Sequence, residues 1–228
     1  YNISNFSFVH DLFTTNKKMV FDFCDTLVER GISINWSCSA RLDTLSDDLL
    51  NAMYKAGCKW IFIGIESGSQ RMQKIINKNL DLNLITNLID YIQKYEINFI
   101  CSFIYGFPEE TITDLESTLQ IILRLWKVGA KTIQLHKATF LPGTSMYDQY
   151  YDLLKYNQLC TDFTEQSYIN DEAKEYIIQN KSVFPQFYTV PSIATQYPYL
   201  DIFVLYFYTT IYSYMPITNK ALIELVGE

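Results

Sequence analysis

The chain has 228 residues, of which 49% are hydrophobic and 19% charged, a composition that excludes a solvated, disordered chain and supplies apolar side chains for a substantial core. The formal net charge is −7 and Lys and Arg form no cluster, which argues against a surface that binds duplex nucleic acid. The longest apolar stretch near the C-terminus, residues 202–215, is shorter than the roughly 20 residues of a membrane-spanning helix and rich in Tyr and Thr, so it is predicted to be a buried helix.

The predicted elements alternate between strands and helices along residues 1–156. Short apolar runs indicate the strands, and apolar residues at helical spacing indicate the helices. Gly31, Gly57 and Gly129 follow three of the helices, Asp81 precedes one as an N-cap, and Thr113-x-x-Glu116 predicts a capping box. In chain order the predictions are strand 5–9, helix 17–29, strand 32–38, helix 47–56, strand 59–65, helix 82–95, strand 98–105, helix 113–128 and strand 132–140.

This alternation, with short connections, predicts an α/β fold with parallel strands and right-handed crossovers. Residues 157–228 lack strand-like alternation and are predicted to form a helical C-terminal region, interrupted by four prolines. Five strands do not close an eight-stranded barrel of about 250 residues, so the sheet is expected to be open or incomplete. A dinucleotide-binding fold is disfavoured, because the turn after the first strand contains no glycine.

Five cysteines are spread along the chain without a Cys-x-x-Cys pair, which argues against a zinc site. They are interpreted as small buried hydrophobes, with metal ligation as the alternative. Free buried thiols suit a reducing compartment, so a cytoplasmic location is predicted. The cysteines are Cys24, Cys38, Cys58, Cys101 and Cys160.

Two of the predicted strands end in segments that carry glycine and carboxylates. These segments are Trp60–Gly68 and Phe103–Thr111, and each begins as an apolar run of the kind expected for a parallel strand covered on both faces. Ligands of parallel α/β proteins gather at the carboxyl ends of the strands, so both segments are predicted to face one cleft.

Five short motifs occur in order along residues 5–156, each at the carboxyl end of a predicted strand. Together they resemble the radical S-adenosylmethionine (SAM) superfamily, and most of all its branch with an N-terminal cobalamin-binding domain. His10 is a departure, because relatives of this branch tend to have Asp at that position. The motifs are Phe8-x-His10-Asp11-x-Phe13, Cys38-x-Ala40-Arg41-x-Asp43, Ile63-Gly64-Ile65-Glu66-Ser67-Gly68, Phe103-Ile104-Tyr105-Gly106-Phe107-Pro108 and Leu141-Pro142-Gly143-Thr144.

The resemblance implies a partial, TIM-like (β/α) barrel of about five parallel strands that cleaves SAM reductively on a 4Fe-4S cluster, with cobalamin as a further cofactor in this branch. The family holds its cluster with a Cys-x-x-x-Cys-x-x-Cys loop after the first barrel strand, and no such run occurs here. The first motif is similar to the family's second strand, so the loop is expected before Tyr1. The chain alone is then expected to be inactive and to depend on an N-terminal remainder and an electron donor.

The resemblance also implies the cofactor-binding residues. Glu66 would contact the ribose or the amino group of SAM; the alternative is a structural ion pair with Arg41, which could instead hold the cofactor carboxylate. The alternatives for the others are a helix cap for Asp11, a tight turn for Phe103–Gly106 and a core histidine for His136. The full predicted set is Asp11, Ser39, Arg41, Glu66, Phe103, Tyr105, Gly106 and His136, and no residue is predicted to bind a metal.

Two classes of function are therefore left open by the sequence. The first is part of a radical SAM enzyme that transfers methyl or methylthio groups or rearranges carbon skeletons. The second is a non-catalytic α/β module that binds a nucleoside-like ligand or a protein partner. A hydrolase or aldolase barrel is disfavoured, because no strand end places a nucleophile beside a suitable acid or His. The sequence does not identify the substrate.

Overall fold

The computed structural model describes residues 3–9, 12–158, 168–197 and 199–200. Its main feature is a five-stranded sheet with the strands in sequential order, and a separate pair of two-residue strands forms a small antiparallel sheet. The elements are β1 (Asn5–Ser7), α1 (Lys17–Glu29), β2 (Asn35–Ala40), α2 (Asp47–Lys55), β3 (Cys58–Glu66), α3 (Gln70–Ile75), α4 (Ile85–Lys94), β4 (Asn98–Tyr105), α5 (Ile112–Lys127), β5 (Thr132–Lys137), α6 (Ser145–Tyr150), β6 (Lys155–Tyr156), α7 (Asp171–Gln179), β7 (Tyr188–Thr189) and α8 (Ile193–Gln196).

The five-stranded sheet is parallel, as the sequence predicts. β1 pairs with β2, β2 with β3 and β3 with β4, all in parallel, and β5 follows β4 in the strand order. In the register, Cys38 lies opposite Ile61, and Ile63 lies opposite Cys101. The prediction of an α/β fold built on five parallel strands is confirmed.

The two faces of the sheet differ in burial. On β3, Ile61, Ile63 and Ile65 are completely buried. Trp60 and Phe62, which point to the opposite face, are 40% and 36% exposed. The expectation of a strand covered on both faces is therefore wrong for β3, whose apolar run is buried on one face only.

The four described cysteines are buried and form no disulfide, which agrees with their interpretation as small hydrophobes. Burial raises the pKa of the Cys24 thiol and of the Cys101 thiol to about 12. Both thiols are therefore neutral at physiological pH. Cys160 lies outside the described residues.

Three helix starts differ from the sequence prediction. α5 begins at Ile112, so Thr113 lies within its first turn and the predicted capping box is wrong. Asp81 does act as a cap, but of a 3-10 turn (Leu82–Leu84) that precedes α4. α3 was not predicted; its N-cap is Ser69, whose side chain accepts a hydrogen bond from the Met72 N–H. A helix of six residues is too short to show an apolar period.

The described residues divide into two compact units. The first contains 3–9, 12–103 and 113–134, and the second contains 104–112, 135–158, 168–197 and 199–200. The second unit has its own aromatic core and includes the β6–β7 pair, of which β7 lies in the region where the sequence indicated helices only. The core residues are Phe140, Tyr147, Leu154, Ile177, Phe187, Tyr188 and Val190.

The predicted helix over 202–215 lies outside the described residues. Across the part of the chain that is described, every helix is too short or too polar to cross a bilayer.

Candidate functional site

Glu66 is the last residue of β3 and has an unusual backbone conformation. Its φ is +67°, in the left-handed region that favours glycine. The pairing of β3 with β4 shifts register between Gly64 and Glu66, so the strand ends in a bulge. A side chain in this region costs about 1–2 kcal/mol, so the surrounding structure must hold it there.

The carboxylate of Glu66 is 20% exposed and pairs with Lys78. The distance from Lys78 Nζ to Glu66 Oε1 is 3.0 Å, and the Lys78 side chain is 23% exposed. A methyl group at Gly64 would overlap the Glu66 carboxylate and lie close to Lys78 Nζ. Because Gly64 has no side chain, the Glu66 carboxylate can lie over this position of β3.

Lys78 lies on a turn with two further left-handed residues. Asn77 and Asn79 have φ of +55° and +52°, and Asn79 Nδ2 donates to Asn77 Oδ1 at 2.9 Å. Asn tolerates this region better than most residues. The sequence Asn77-Lys78-Asn79 was the available signal for this turn, which was not predicted.

Arg41 follows β2 and makes a bidentate ion pair with Asp43. Its Nε and Nη2 lie 2.9 and 2.7 Å from the two Asp43 oxygens, and Nη2 also donates to the Lys78 carbonyl at 3.3 Å. The hydrogen bond from Arg41 lowers the pKa of Asp43, and the same bond raises the pKa of Arg41. The predicted alternative of a Glu66–Arg41 ion pair is therefore wrong: Glu66 pairs with Lys78, and Arg41 with Asp43.

Two further residues of the predicted set lie on this unit. Ser39 is half-buried on β2, two residues before Arg41. Phe103 lies opposite Glu66 in the β3–β4 register and is completely buried. Asp11, with the neighbouring His10, lies outside the described residues.

The other described residues of the predicted set, Tyr105, Gly106 and His136, belong to the second unit. Gly106 follows Tyr105 with a φ of +83°, and its N–H donates to the buried Glu110 carboxylate at 2.5 Å. This geometry is what the tight-turn interpretation requires. Tyr105 is buried, and its carbonyl accepts a hydrogen bond from the Ala138 N–H; His136 is half-buried on β5.

A concavity of about 430 Å³ lies elsewhere on the first unit. It is formed by β1 and by the amino-terminal parts of β2 and β3, with Phe6, Trp36 and Trp60 among its walls. None of the predicted site residues lines it, and in parallel α/β proteins ligands bind at the opposite ends of the strands. The charged cluster of Arg41, Asp43, Glu66 and Lys78 is therefore the better candidate site of this unit.

Residues 3–122, just over half of the chain, match the family model of the Radical SAM superfamily. The chain belongs to this superfamily. The resemblance carried by the strand-end motifs is thus confirmed for the four motifs within that range, and Leu141–Thr144 lies beyond it. Because the chain belongs to this superfamily, SAM is the ligand against which the candidate site can be tested.

Known proteins of related sequence and fold are longer than this chain. An uncharacterized methyltransferase of Pyrococcus horikoshii is 31% identical over 148 residues, which cover 65% of this chain and 32% of that protein. The solved radical SAM methyltransferase TsrM from Kitasatospora setae, with cobalamin and a [4Fe-4S] cluster bound, aligns with a TM-score of 0.58 and 13% identity over 68% of this chain and 33% of its own.

Coproporphyrinogen III oxidase (HemN) from Escherichia coli, a radical SAM enzyme, aligns with a TM-score of 0.52 and 16% identity over 79% of this chain and 39% of its own. At these identities the two solved structures show a shared fold alone, and that fold agrees with the predicted TIM-like partial barrel. The chain spans about a third of the length of the three relatives.

Proposed function

We propose that this chain forms the SAM-binding part of a radical SAM iron–sulfur enzyme. The observation that carries the proposal is the Glu66 carboxylate, held at a strand end in a strained backbone conformation above a glycine. Strain of this kind is typical of ligand-binding positions. When SAM and a 4Fe-4S cluster are bound in such enzymes, they supply an adenosyl radical.

The charged side chains of the candidate site complement SAM, which carries an ammonium group, a carboxylate and a ribose diol. Glu66 binds the ribose hydroxyls or the ammonium group as a hydrogen-bond acceptor, and Lys78 keeps the carboxylate in place through one of its oxygens. Arg41, fixed by Asp43, directs its guanidinium toward the cofactor carboxylate. We further propose cofactor contacts for Asp11, Ser39, Phe103, Tyr105, Gly106 and His136.

The cysteines of the chain do not fit the ligand set of a cluster. A 4Fe-4S cluster needs thiolates presented close together, and no Cys-x-x-x-Cys-x-x-Cys run occurs in the sequence. The described cysteines are buried on separate elements, and no group of three metal-ligating side chains occurs among the described residues. We propose that the cluster ligands lie outside these 228 residues and that the chain alone does not cleave SAM.

The reaction we propose is methyl transfer with cobalamin as the second cofactor. The support is that one relative is named a methyltransferase and that a solved methyltransferase of the same fold binds cobalamin. An electron donor and a small-molecule substrate complete the proposed partners. The division into a barrel over 1–156 and a helical region over 157–228, and a cytoplasmic location, also remain proposals, the latter supported by the free thiols.

The substitution Glu66→Gln tests the proposal, because it keeps the shape of the side chain and removes its charge. SAM affinity of the native protein, measured by calorimetry, should weaken by about 1.5–3 kcal/mol, the range for a charged hydrogen bond. The change in unfolding free energy should stay within about 1 kcal/mol, because the Glu66–Lys78 pair is partly exposed.

The matched control is Asp47→Asn, the same chemical change in another ion pair of this unit, which joins Asp47 to Lys94. It should leave SAM affinity unchanged. Unchanged SAM affinity in the Glu66→Gln protein would remove Glu66 from the site and favour the non-catalytic module.

A further inference from the structure

The buried side chain of Gln73 joins the two segments that form the Glu66–Lys78 pair. Gln73 lies on α3 and is completely inaccessible to solvent. Its Nε2 donates to the Ile65 carbonyl at 2.7 Å and to the Ser67 carbonyl at 2.6 Å. These are the carbonyl groups of the two residues that flank Glu66.

The same residue also fixes the turn that carries Lys78. The Gln73 side-chain oxygen accepts a hydrogen bond from the Leu80 N–H at 3.3 Å. Its main-chain carbonyl accepts from the N–H groups of Lys78 and Asn79, both at 3.0 Å. Gln73 thus contacts the chain on both sides of Glu66, and it also binds Lys78 and the two residues that follow Lys78.

These bonds explain how a strained glutamate stays in place. A glutamate with a left-handed backbone conformation at a bulge is unfavourable by itself. Another group must therefore raise the free energy of the alternative backbone conformations. If Glu66 relaxed, the Ile65 and Ser67 carbonyls would turn away from the Gln73 amide and leave a buried amide without acceptors. An unsatisfied buried polar group costs about 1–3 kcal/mol, which is comparable to the strain.

We infer that Gln73 is a positioning residue for cofactor binding: it holds Glu66 in its left-handed conformation and sets the Lys78 ammonium against the carboxylate. Being completely buried, Gln73 acts through Glu66 and not by contact with the cofactor. This inference rests on the proposed function, since it assigns a role at the same site.

The substitution Gln73→Leu tests the inference, because it keeps a side chain of similar size and removes all three side-chain hydrogen bonds. In the native protein, SAM affinity measured by calorimetry should fall roughly tenfold or more. Glu66→Gln should then weaken SAM binding much less in the Gln73→Leu background than in the wild type, because the carboxylate is already displaced. Gln73→Glu keeps the shape of the side chain but can donate only one of the two bonds, and only when it is protonated, so it should weaken binding in the same direction.

Thr118→Val is the matched control, because it removes a partly buried hydrogen bond to the same segment, the one from the Gly68 N–H to Thr118 Oγ1 at 2.9 Å. It should lower the melting temperature while SAM affinity stays unchanged. Gly64→Ala is the complementary variant: it leaves Gln73 intact and displaces the Glu66 carboxylate, so it should reproduce the loss of affinity.

The outcomes separate this inference from the proposed function. If Glu66→Gln leaves SAM affinity unchanged in the wild-type background, the proposed function itself fails. If Glu66→Gln weakens binding but a folded Gln73→Leu or Gln73→Glu protein binds SAM as the wild type does, Gln73 has a structural role only and the inference is overturned.

Discussion

At the scale of single residues, the ends of β3 and β4 both have a residue with a positive φ, but the residue type differs. β4 is followed by Gly106 with a φ of +83°, whereas β3 ends with Glu66 at a φ of +67°. Glycine would be the less strained choice at position 66. A carboxylate kept there despite the strain is more readily explained by ligand binding than by stability.

The buried thiols lead to a prediction about alkaline pH. Burial raises the pKa of Cys24 and Cys101 from 9.0 to about 12, so the folded protein retains these protons at a pH where the unfolded chain releases them. Their contribution to stability is complete below pH 9 and is lost as the pH rises from 9 toward 12. The melting temperature should therefore fall over this interval, and more gently in a Cys101→Ala protein.

Thiol labelling gives an independent measurement of the same burial. In a Cys160→Ser background, the four described cysteines should react with a thiol reagent at pH 8 only after denaturation. Rapid stoichiometric labelling of the native protein would contradict the buried positions.

At the scale of elements, the loop that follows β3 approaches α5 closely at Gly68. A methyl group added there would lie 2.5 Å from the Ser117 carbonyl oxygen and 2.6 Å from Thr118 Cα, both in the backbone of α5. Next to this contact, the Asp114 carboxylate of α5 accepts hydrogen bonds from Ser69, the N-cap of α3, and pairs with Arg71. The segment after Glu66 is thus fixed to α5 by close packing and by buried polar contacts.

We expect Gly68→Ala to destabilise the protein by about 1–3 kcal/mol, the usual cost of overpacking, because backbone atoms cannot move aside as a side chain can. Urea denaturation measures the change. Ser117→Ala, which leaves the backbone atoms of this contact in place and removes only an exposed side-chain hydrogen bond to the Thr113 carbonyl, should change stability by only about 0.5 kcal/mol or less. Equal stability of the Gly68→Ala protein and the wild type would show that the loop after β3 and α5 are not in close contact.

At the scale of the whole molecule, the chain carries the candidate SAM-binding residues but no cluster-binding cysteine run. The described cysteines lie on α1, β2, β3 and β4. Each is covered by the core of the sheet, so none is available to iron without unfolding. Cofactor binding and cluster assembly are therefore expected to be separable properties.

Reconstitution of the 228-residue chain with iron and sulfide under anaerobic conditions tests this separation. No stable absorbance at about 400 nm and no stoichiometric iron are expected, because the sequence has no Cys-x-x-x-Cys-x-x-Cys run and the described cysteines are buried. A stable cluster with stoichiometric iron would instead show that cysteines of this chain can act as its ligands.

The sequence alone determined the general architecture and the family. Alternating apolar runs and helical periods predicted five parallel strands, and polar residues at the strand ends located Arg41 and Glu66. Such patterns are local, because each follows from the geometry of one element and its burial. The short helix α3 and the start of α5 were not predicted from the sequence. Six residues are too few to show an apolar period, and a capping pattern can also occur inside the first turn of a helix.

Only the tertiary structure decided which charged groups meet. Arg41 and Glu66 were the obvious opposite charges in sequence, yet Glu66 pairs with Lys78, twelve residues further along, and Arg41 with Asp43. The choice depends on the bulge at Glu66, the two left-handed asparagines and the buried amide of Gln73, which together place Lys78 above Gly64. These contacts join segments that are separate in sequence, and the backbone conformations that allow them are set by packing, which no periodic pattern of residues encodes.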